Sequence, residues 1–315
     1  MSFILLIIGF FFLIKGADLF VEGAASIAKK FNVPSMVIGL TIVAMGTSAP
    51  EAAVSITSSL AGQNDMSVAN VIGSNFFNIL VVLGVSSIIA TLPVEKNTIK
   101  KDTPFLLLVS GLLLLFGLDL RISRIEGIIL LAFFTYFLVN TVKTAKNSAS
   151  NSKEEAAITA EAEEVVEFSL PKTILLSLIG IAGIVLGGDM VVDSATKIAT
   201  SFGMSANLVG LTIVAVGTSL PEFVTSIVAI KKGETEIAIG NVIGSNLFNI
   251  LLVLGLATTI KPIVISMFAL FDIVFMVIIT LILYFFMKKN NKLVKSQGFI
   301  LLALYIAYMA YTIMR

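Results

Sequence analysis

The sequence contains no cysteine, no histidine and no tryptophan, and only 13% of its 315 residues are charged. Without thiols or imidazoles there is no disulfide, no thiolate- or imidazole-bound metal, no histidine proton relay, and no Ser-His or Cys-His nucleophile. A cation bound by this chain must therefore be held by oxygen. Strictly alternating apolar runs are also missing, which argues against a β-barrel. The net charge of +1 identifies no partner by itself. In a chain like this one, what matters is where the charges fall.

What is present is apolar. Hydrophobic side chains make up 57% of the sequence, and the mean hydropathy of +1.03 lies far outside the range of soluble domains. Apolar runs recur at roughly the 20-residue length that crosses a bilayer as a helix. Only helices and closed barrels satisfy backbone polar groups in lipid, so an all-α integral membrane protein is expected. The runs predict ten transmembrane helices, at 2–28, 36–60, 67–90, 103–118, 125–142, 172–199, 207–230, 236–258, 264–287 and 297–314. The first run carries Asp18 and Glu22 and has no basic start, so it reads as a mature span and not a signal peptide.

Two stretches organise the chain. Residues 39–84 and 210–255 align without a gap at an offset of 171, with 27 of 46 positions identical. The first contains G-T-S-A-P-E and G-S-N-F-F-N, and the second G-T-S-L-P-E and G-S-N-L-F-N. The similarity extends upstream, pairing Asp18 with Asp189 and Glu22 with Asp193. Five predicted spans separate the copies, and an odd number turns the second over, giving two inverted five-helix repeats. The expected units are a first repeat at 1–142, an acidic cytoplasmic linker at 143–171 and a second repeat at 172–315. With both termini outside, fifteen lysines face the cytoplasm against five basic residues on the other side, the bias expected of a multi-pass protein in a cell membrane.

Each copy carries one acid in an apolar setting, Glu51 and Glu222, and an acid within a membrane span marks a functional site by default. Pro50 cannot donate to the carbonyl of Gly46, so the helix must bend there and expose backbone oxygens beside Thr47, Ser48 and Glu51. Gly217, Thr218, Ser219, Pro221 and Glu222 repeat the arrangement. Carbonyl, hydroxyl and carboxylate oxygens within one turn suit a hard cation such as calcium or sodium. Asn70, Ser74 and Asn78 recur every four residues along one helix face, as do Asn241, Ser245 and Asn249. Ion binding is favoured for Ser74, Asn78, Ser245 and Asn249, whereas packing and ligation stand level for Asn70, Asn75, Asn241 and Asn246. Asp102, Glu126 and Asp272 read as caps or anchors, and Lys15 as a partner for Asp18 or Glu22.

At these residues the chain resembles the prokaryotic sodium/calcium exchangers of the cation/calcium antiporter superfamily, over its whole length. The resemblance implies that sodium enters and calcium is expelled by alternating access, around a core of spans two, three, seven and eight. Spans one and six would slide across that core. It also implies that Glu51 and Glu222 are central calcium ligands, joined by the carbonyls of Thr47 and Thr218. By the same resemblance, Ser48, Ser219, Ser74, Ser245, Asn78, Ala44 and Ala215 line the sodium sites. Position 249 is aspartate in some relatives, including the potassium-dependent branch, so Asn249 speaks against potassium co-transport. No cofactor is expected, and the expected partners are Ca2+ and Na+ as cargo and the lipid bilayer, with no nucleic acid and a single chain as the working unit. The alternative is a proton/calcium antiporter of the same superfamily. An intramembrane aspartyl protease fits poorly, since the acids are glutamates following proline, so no enzymatic activity is expected.

Overall fold

The computed structural model describes residues 2–60, 64–156, 170–204 and 215–314, without the side chains of 64–66, 148–156 and 215. Apolar, proline-poor stretches have one way to satisfy their backbone away from water, and the described residues are accordingly almost all helical. In order these are α1 (Ser2–Phe31), α2 (Ser35–Thr47) and α3 (Ala49–Leu60), then α4, whose apolar part is Ser67–Ile89. Next come α5 (Thr103–Gly117, entered through a π turn at Thr98–Asp102), α6 (Arg124–Ala156) and α7 (Leu170–Ser201). The chain ends with α8 (Leu220–Lys231), α9 (Thr235–Ile260), α10 (Met267–Asn290) and α11 (Lys295–Met314).

Among the described residues seven helices are long and apolar enough to cross a membrane, and the bent pair α2 and α3 makes an eighth. The remaining two helices fall short for different reasons. α5 carries Lys100, Lys101 and Asp102 in its entry turn, and α8 is 12 residues long because it starts at Leu220, after Ser219; residues 205–214 lie outside the described residues. α6 runs to Ala156, past the expected end near 142, because its Ala-, Lys- and Glu-containing extension has high helix propensity even where it is no longer apolar.

Burial sorts the helices into an inner and an outer layer. The most apolar window of α9 is 94% buried and that of α4 72% buried, against 17% for α11 and 22% for α6. α4 and α9 therefore form the centre. Phe3, Ile7, Ile125, Leu178 and Ile306 on the outer helices are exposed, which in water would be costly and in lipid is not. α1 and α7 pack along each other closely enough that a Cβ on Gly180 would stand 2.7 Å from the Phe20 amide nitrogen and 2.8 Å from the Gly16 carbonyl. Small residues that let backbones meet are the usual means of joining helices in lipid.

The repeat seen in the sequence continues into features that the sequence similarity does not cover. Two short antiparallel bridges tie loops together, β1 (Leu92–Pro93) with β4 (Lys292–Leu293) and β2 (Arg121–Ile122) with β3 (Ile263–Val264). Adding 171 to β1 gives β3, and adding it to β2 gives β4, so the shift turns one bridge into the other. Left-handed backbone recurs in the same register, with Asn32 (φ 50°) matching Gly203 (φ 87°) and Leu120 (φ 61°) matching Asn291 (φ 50°).

Candidate cation site

The site is built where α2 breaks into α3. The two helices meet at a 50° bend at Ser48, two residues before Pro50, whose ring has no N–H to continue the ladder. The second copy breaks at the matching place: the short turn Ala215–Gly217 ends and α8 restarts at Leu220, with Ser219 between them. Each break places a glutamate in the first turn of the helix that follows, Glu51 on α3 and Glu222 on α8. Both carboxylates are fully buried.

Each carboxylate is held by hydroxyls from both copies. Ser48 Oγ donates to Glu222 Oε1 at 2.8 Å, and Ser219 Oγ lies 3.2 Å from Glu51 Oε1. From within the same copy, Ser74 and Ser245 reach Glu51 and Glu222 Oε1 at 3.4 Å each. Asn70 and Asn241 act as braces. Each donates to the backbone carbonyl of its copy's glutamate at 3.3 Å and to a serine, Ser55 at 3.0 Å and Ser226 at 3.1 Å. The opposite copy closes each brace, with Thr47 donating to Asn241 Oδ1 at 3.0 Å and Thr218 to Asn70 Oδ1 at 3.4 Å.

Some acceptors in this network are left open. Glu51 Oε2, Glu222 Oε2, Asn78 Oδ1 and Asn249 Oδ1 are all buried and have no hydrogen-bond partner among the described residues. Buried acceptors are normally satisfied, and each one left open costs about 1 to 3 kcal/mol. These four open oxygens, two from carboxylates and two from amides, are related in pairs by the repeat, are tied to one hydrogen-bonded network, and are of the hard type that a calcium or sodium ion takes as ligands. Among the described residues no group of three acidic side chains converges, so two carboxylates supply all the negative charge here.

The sequence expectations can now be placed. Thr47, Ser48, Ser74, Asn78, Ser219, Ser245 and Asn249 are buried with the two glutamates, and Thr218 is half-buried beside them. Ala44 is buried on the same turn as Thr47, and its carbonyl already accepts the Ser48 amide at 3.0 Å. The side chain of Ala215 lies outside the described residues. Asn70 and Asn241 turn out to be braces with their amides already engaged. Glu126 is a cap, taking the Ser123 amide at 2.6 Å while Ser123 Oγ accepts the Glu126 amide at 3.4 Å. Asp102 instead lies inside the continuous helical stretch 98–117. Lys15 does approach Asp18, at 4.0 Å, but the closer partner was not expected: Lys232 sits 2.9 Å from Asp18 and 3.3 Å from Glu22.

Residues 1–143 and 172–314 match the family described as sodium/calcium exchanger protein. The chain belongs to the sodium/calcium exchanger family. Similar members include CaxA of Alkalimonas amylolytica, 42% identical over 97% of this chain and 96% of that one. The sodium/calcium exchanger MaX1 of Methanosarcina acetivorans is 32% identical over 98% and 97% of the two chains. Among solved structures, the sodium-calcium exchanger NCX_Mj soaked with Na+ and Ca2+ superimposes with a TM-score of 0.85 at 34% identity, covering 98% of this chain and 97% of that one. The chain is thus a multi-pass membrane protein of an exchanger family whose members move ions without a cofactor.

Proposed function

We propose that this protein is a sodium/calcium antiporter that expels Ca2+ in exchange for Na+ by alternating access, with Glu51 and Glu222 as the charged ligands of one central site. The supporting observation is the set of four unpartnered buried oxygens on Glu51, Glu222, Asn78 and Asn249. Two carboxylates balance one calcium ion or two sodium ions, so the cations compete for one pocket. A further sodium would rest on neutral oxygens, and the amide oxygens of Asn78 and Asn249 and the hydroxyls of Ser48, Ser74, Ser219 and Ser245 are of that kind. Its movement would make the exchange electrogenic. The carbonyls of Thr47, Thr218, Ala44 and Ala215 complete the proposed ligand set.

The same reading takes the chain as ten crossings in two inverted halves, 1–142 and 172–315, joined by a cytoplasmic linker with both termini outside. It is supported by the shift that turns one loop bridge into the other and by the lysine bias. Inversion puts the two breaks on opposite sides of one midplane site, so that access can alternate while the ligands stay.

The deciding experiment is calcium uptake into proteoliposomes, driven by a sodium gradient at constant pH or by a pH gradient without sodium. Uptake with sodium alone is expected, and the reversal potential of the current then gives the coupling ratio. Uptake driven only by the pH gradient would replace sodium with protons and overturn this reading.

A further inference from the structure

The two bare amide oxygens raise a question of orientation. A carboxamide carries a donor and an acceptor on one carbon, and a free Asn78 or Asn249 could present its –NH2 to the site as readily as its oxygen. A cation is bound by one face and repelled by the other. Something must fix the choice.

The fixing groups are on the page. Asn249 Nδ2 donates to Asn75 Oδ1 at 3.1 Å and also to Ser74 Oγ at 3.0 Å, whereas Asn78 Nδ2 donates to Asn246 Oδ1 at 3.1 Å. Asn75 and Asn246 are themselves repeat mates, 171 residues apart, at 1% and 0% exposure. Each accepts from the opposite helix, Asn75 on α4 from α9 and Asn246 on α9 from α4. With the nitrogen pinned on one side, geometry turns the oxygen to the other, and those are the oxygens without a partner. Both helices also widen into π turns here, Phe77–Val82 and Asn249–Leu254, so Asn78 and Asn249 lie within turns that are locally re-aimed.

A packing role alone does not account for these two asparagines. Asn246 Nδ2 has no partner, and Asn75 Nδ2 reaches only the Asn246 carbonyl and Met276 Sδ, each at 3.5 Å. A residue that served only to fill space would gain nothing from an amide whose own nitrogen is open or held at 3.5 Å. Their acceptor oxygens are the atoms in full use.

We propose that Asn75 and Asn246 are positioning residues that hold the amide oxygens of Asn78 and Asn249 toward the transported cations, and so set the affinity for sodium in particular. This rests on the antiporter reading for the identity of the ions, though not for the geometry. Sodium depends on these residues most because neutral oxygens carry the share of its binding that the two carboxylates cannot, whereas calcium draws chiefly on charge.

The test uses Asn75→Leu and Asn246→Leu, which keep the branched heavy-atom outline in a bulkier form and remove the acceptor, beside Asn75→Asp and Asn246→Asp, which keep the acceptor. In purified full-length protein, the sodium and calcium concentrations that give the half-maximal rise in melting temperature are titrated. Sodium-driven calcium uptake is measured in parallel. Asn246→Leu should need about 10- to 100-fold more sodium, the usual loss when the partner behind a metal ligand is removed, and Asn75→Leu a smaller increase because Ser74 Oγ still accepts from the Asn249 amide, each with a smaller change for calcium. The aspartate variants should recover most of it. Leucine variants that melt lower yet keep the wild-type half-saturating sodium, or that behave like the aspartate variants, would show a packing role and overturn the proposal. Wild-type uptake indifferent to sodium would sink the antiporter reading separately, while the calcium titration would still read the positioning effect. A wild-type protein stabilised by neither cation would overturn both.

Discussion

Glu51→Gln is the sharpest perturbation of the site, and its outcome follows from which oxygen is occupied. Ser74 and Ser219 lie against Glu51 Oε1, at 3.4 and 3.2 Å, and Oε2 is bare. In the glutamine, the two hydroxyl donors keep the amide oxygen, so the –NH2 takes the place of Oε2 and turns a positive edge toward the cation. The charge is lost and the remaining dipole points the wrong way. A buried carboxylate about 4 Å from a monovalent ion is worth on the order of 4 kcal/mol at an effective dielectric of about 20, and about twice that for a divalent ion. At about 1.4 kcal/mol per decade, sodium binding falls roughly a thousandfold and calcium binding considerably further. Glu222→Gln should match it, since Ser48 and Ser245 hold Glu222 Oε1 in the same way.

Folding should not suffer. Both side chains are fully buried, and a glutamine of the same shape needs no desolvation of a charge there, so the ligand-free variant should melt at or above the wild-type temperature. The assay is thermal unfolding in detergent with and without calcium, alongside calcium uptake. Ligand at a hundred times its dissociation constant stabilises by about 2.7 kcal/mol, so wild type should show a clear upward shift and either glutamine variant none. Near-normal exchange, or a retained calcium shift, in either variant would refute the assignment of these carboxylates.

Other substitutions separate the parts of the structure. Asn249→Asp places a second acceptor opposite Asn75 Oδ1, now 3.1 Å from a donor, and adds a third buried negative charge. The cation-free protein should lose about 3 kcal/mol of stability, regained with calcium in a melting titration, and the ion preference in uptake assays should change. Gly180→Leu forces a side chain into a space where a Cβ alone meets the Phe20 nitrogen at 2.7 Å. It should part α1 from α7 and lower stability by about 1 to 3 kcal/mol, seen as a lower melting temperature. Lys232→Ala breaks the bond from the end of α8 to Asp18 and Glu22 on α1. Since partly exposed ion pairs contribute about 1 kcal/mol or less, melting should change little, while the turnover in uptake assays should lose part of its dependence on ionic strength.

Much of the site was legible because membrane spans are so intolerant of polarity. Glu51 and Glu222 stood out as acids in apolar runs, and Pro50 marked the bend that the structure places at Ser48. Ser74, Asn78, Ser245 and Asn249 were legible from spacing. Asn75 and Asn246 stood level between packing and ligation, because they lie off the face drawn at four-residue spacing and their partners, Asn249 and Asn78, are on the other copy. Lys232 was missed for a different reason. It meets Glu22 across 210 residues of chain, and nothing local to either residue announces the other. The loop bridges are invisible for the same cause, being two residues long and pairing segments from opposite ends of the chain.

The cross-bonding explains why the motif had to be written twice. Glu51 takes its closer hydroxyl from Ser219, at 3.2 Å, and its farther one from Ser74 of its own copy, at 3.4 Å. For Glu222 the order is the same, Ser48 at 2.8 Å against Ser245 at 3.4 Å. Thr47 closes the brace on Asn241, Thr218 closes that on Asn70, and Asn75 and Asn246 each fix an amide of the other helix. None of these four side chains is therefore oriented wholly by its own half. Any motion that shifts one half against the other must disturb both carboxylates and both amides together. In the proposed antiporter, a cation that pulls those four oxygens inward acts on the register of the two halves as a unit. That is the physical requirement for binding energy at one central site to bias which side of the membrane it faces, since a ligand shifts an equilibrium only through contacts that differ between its states.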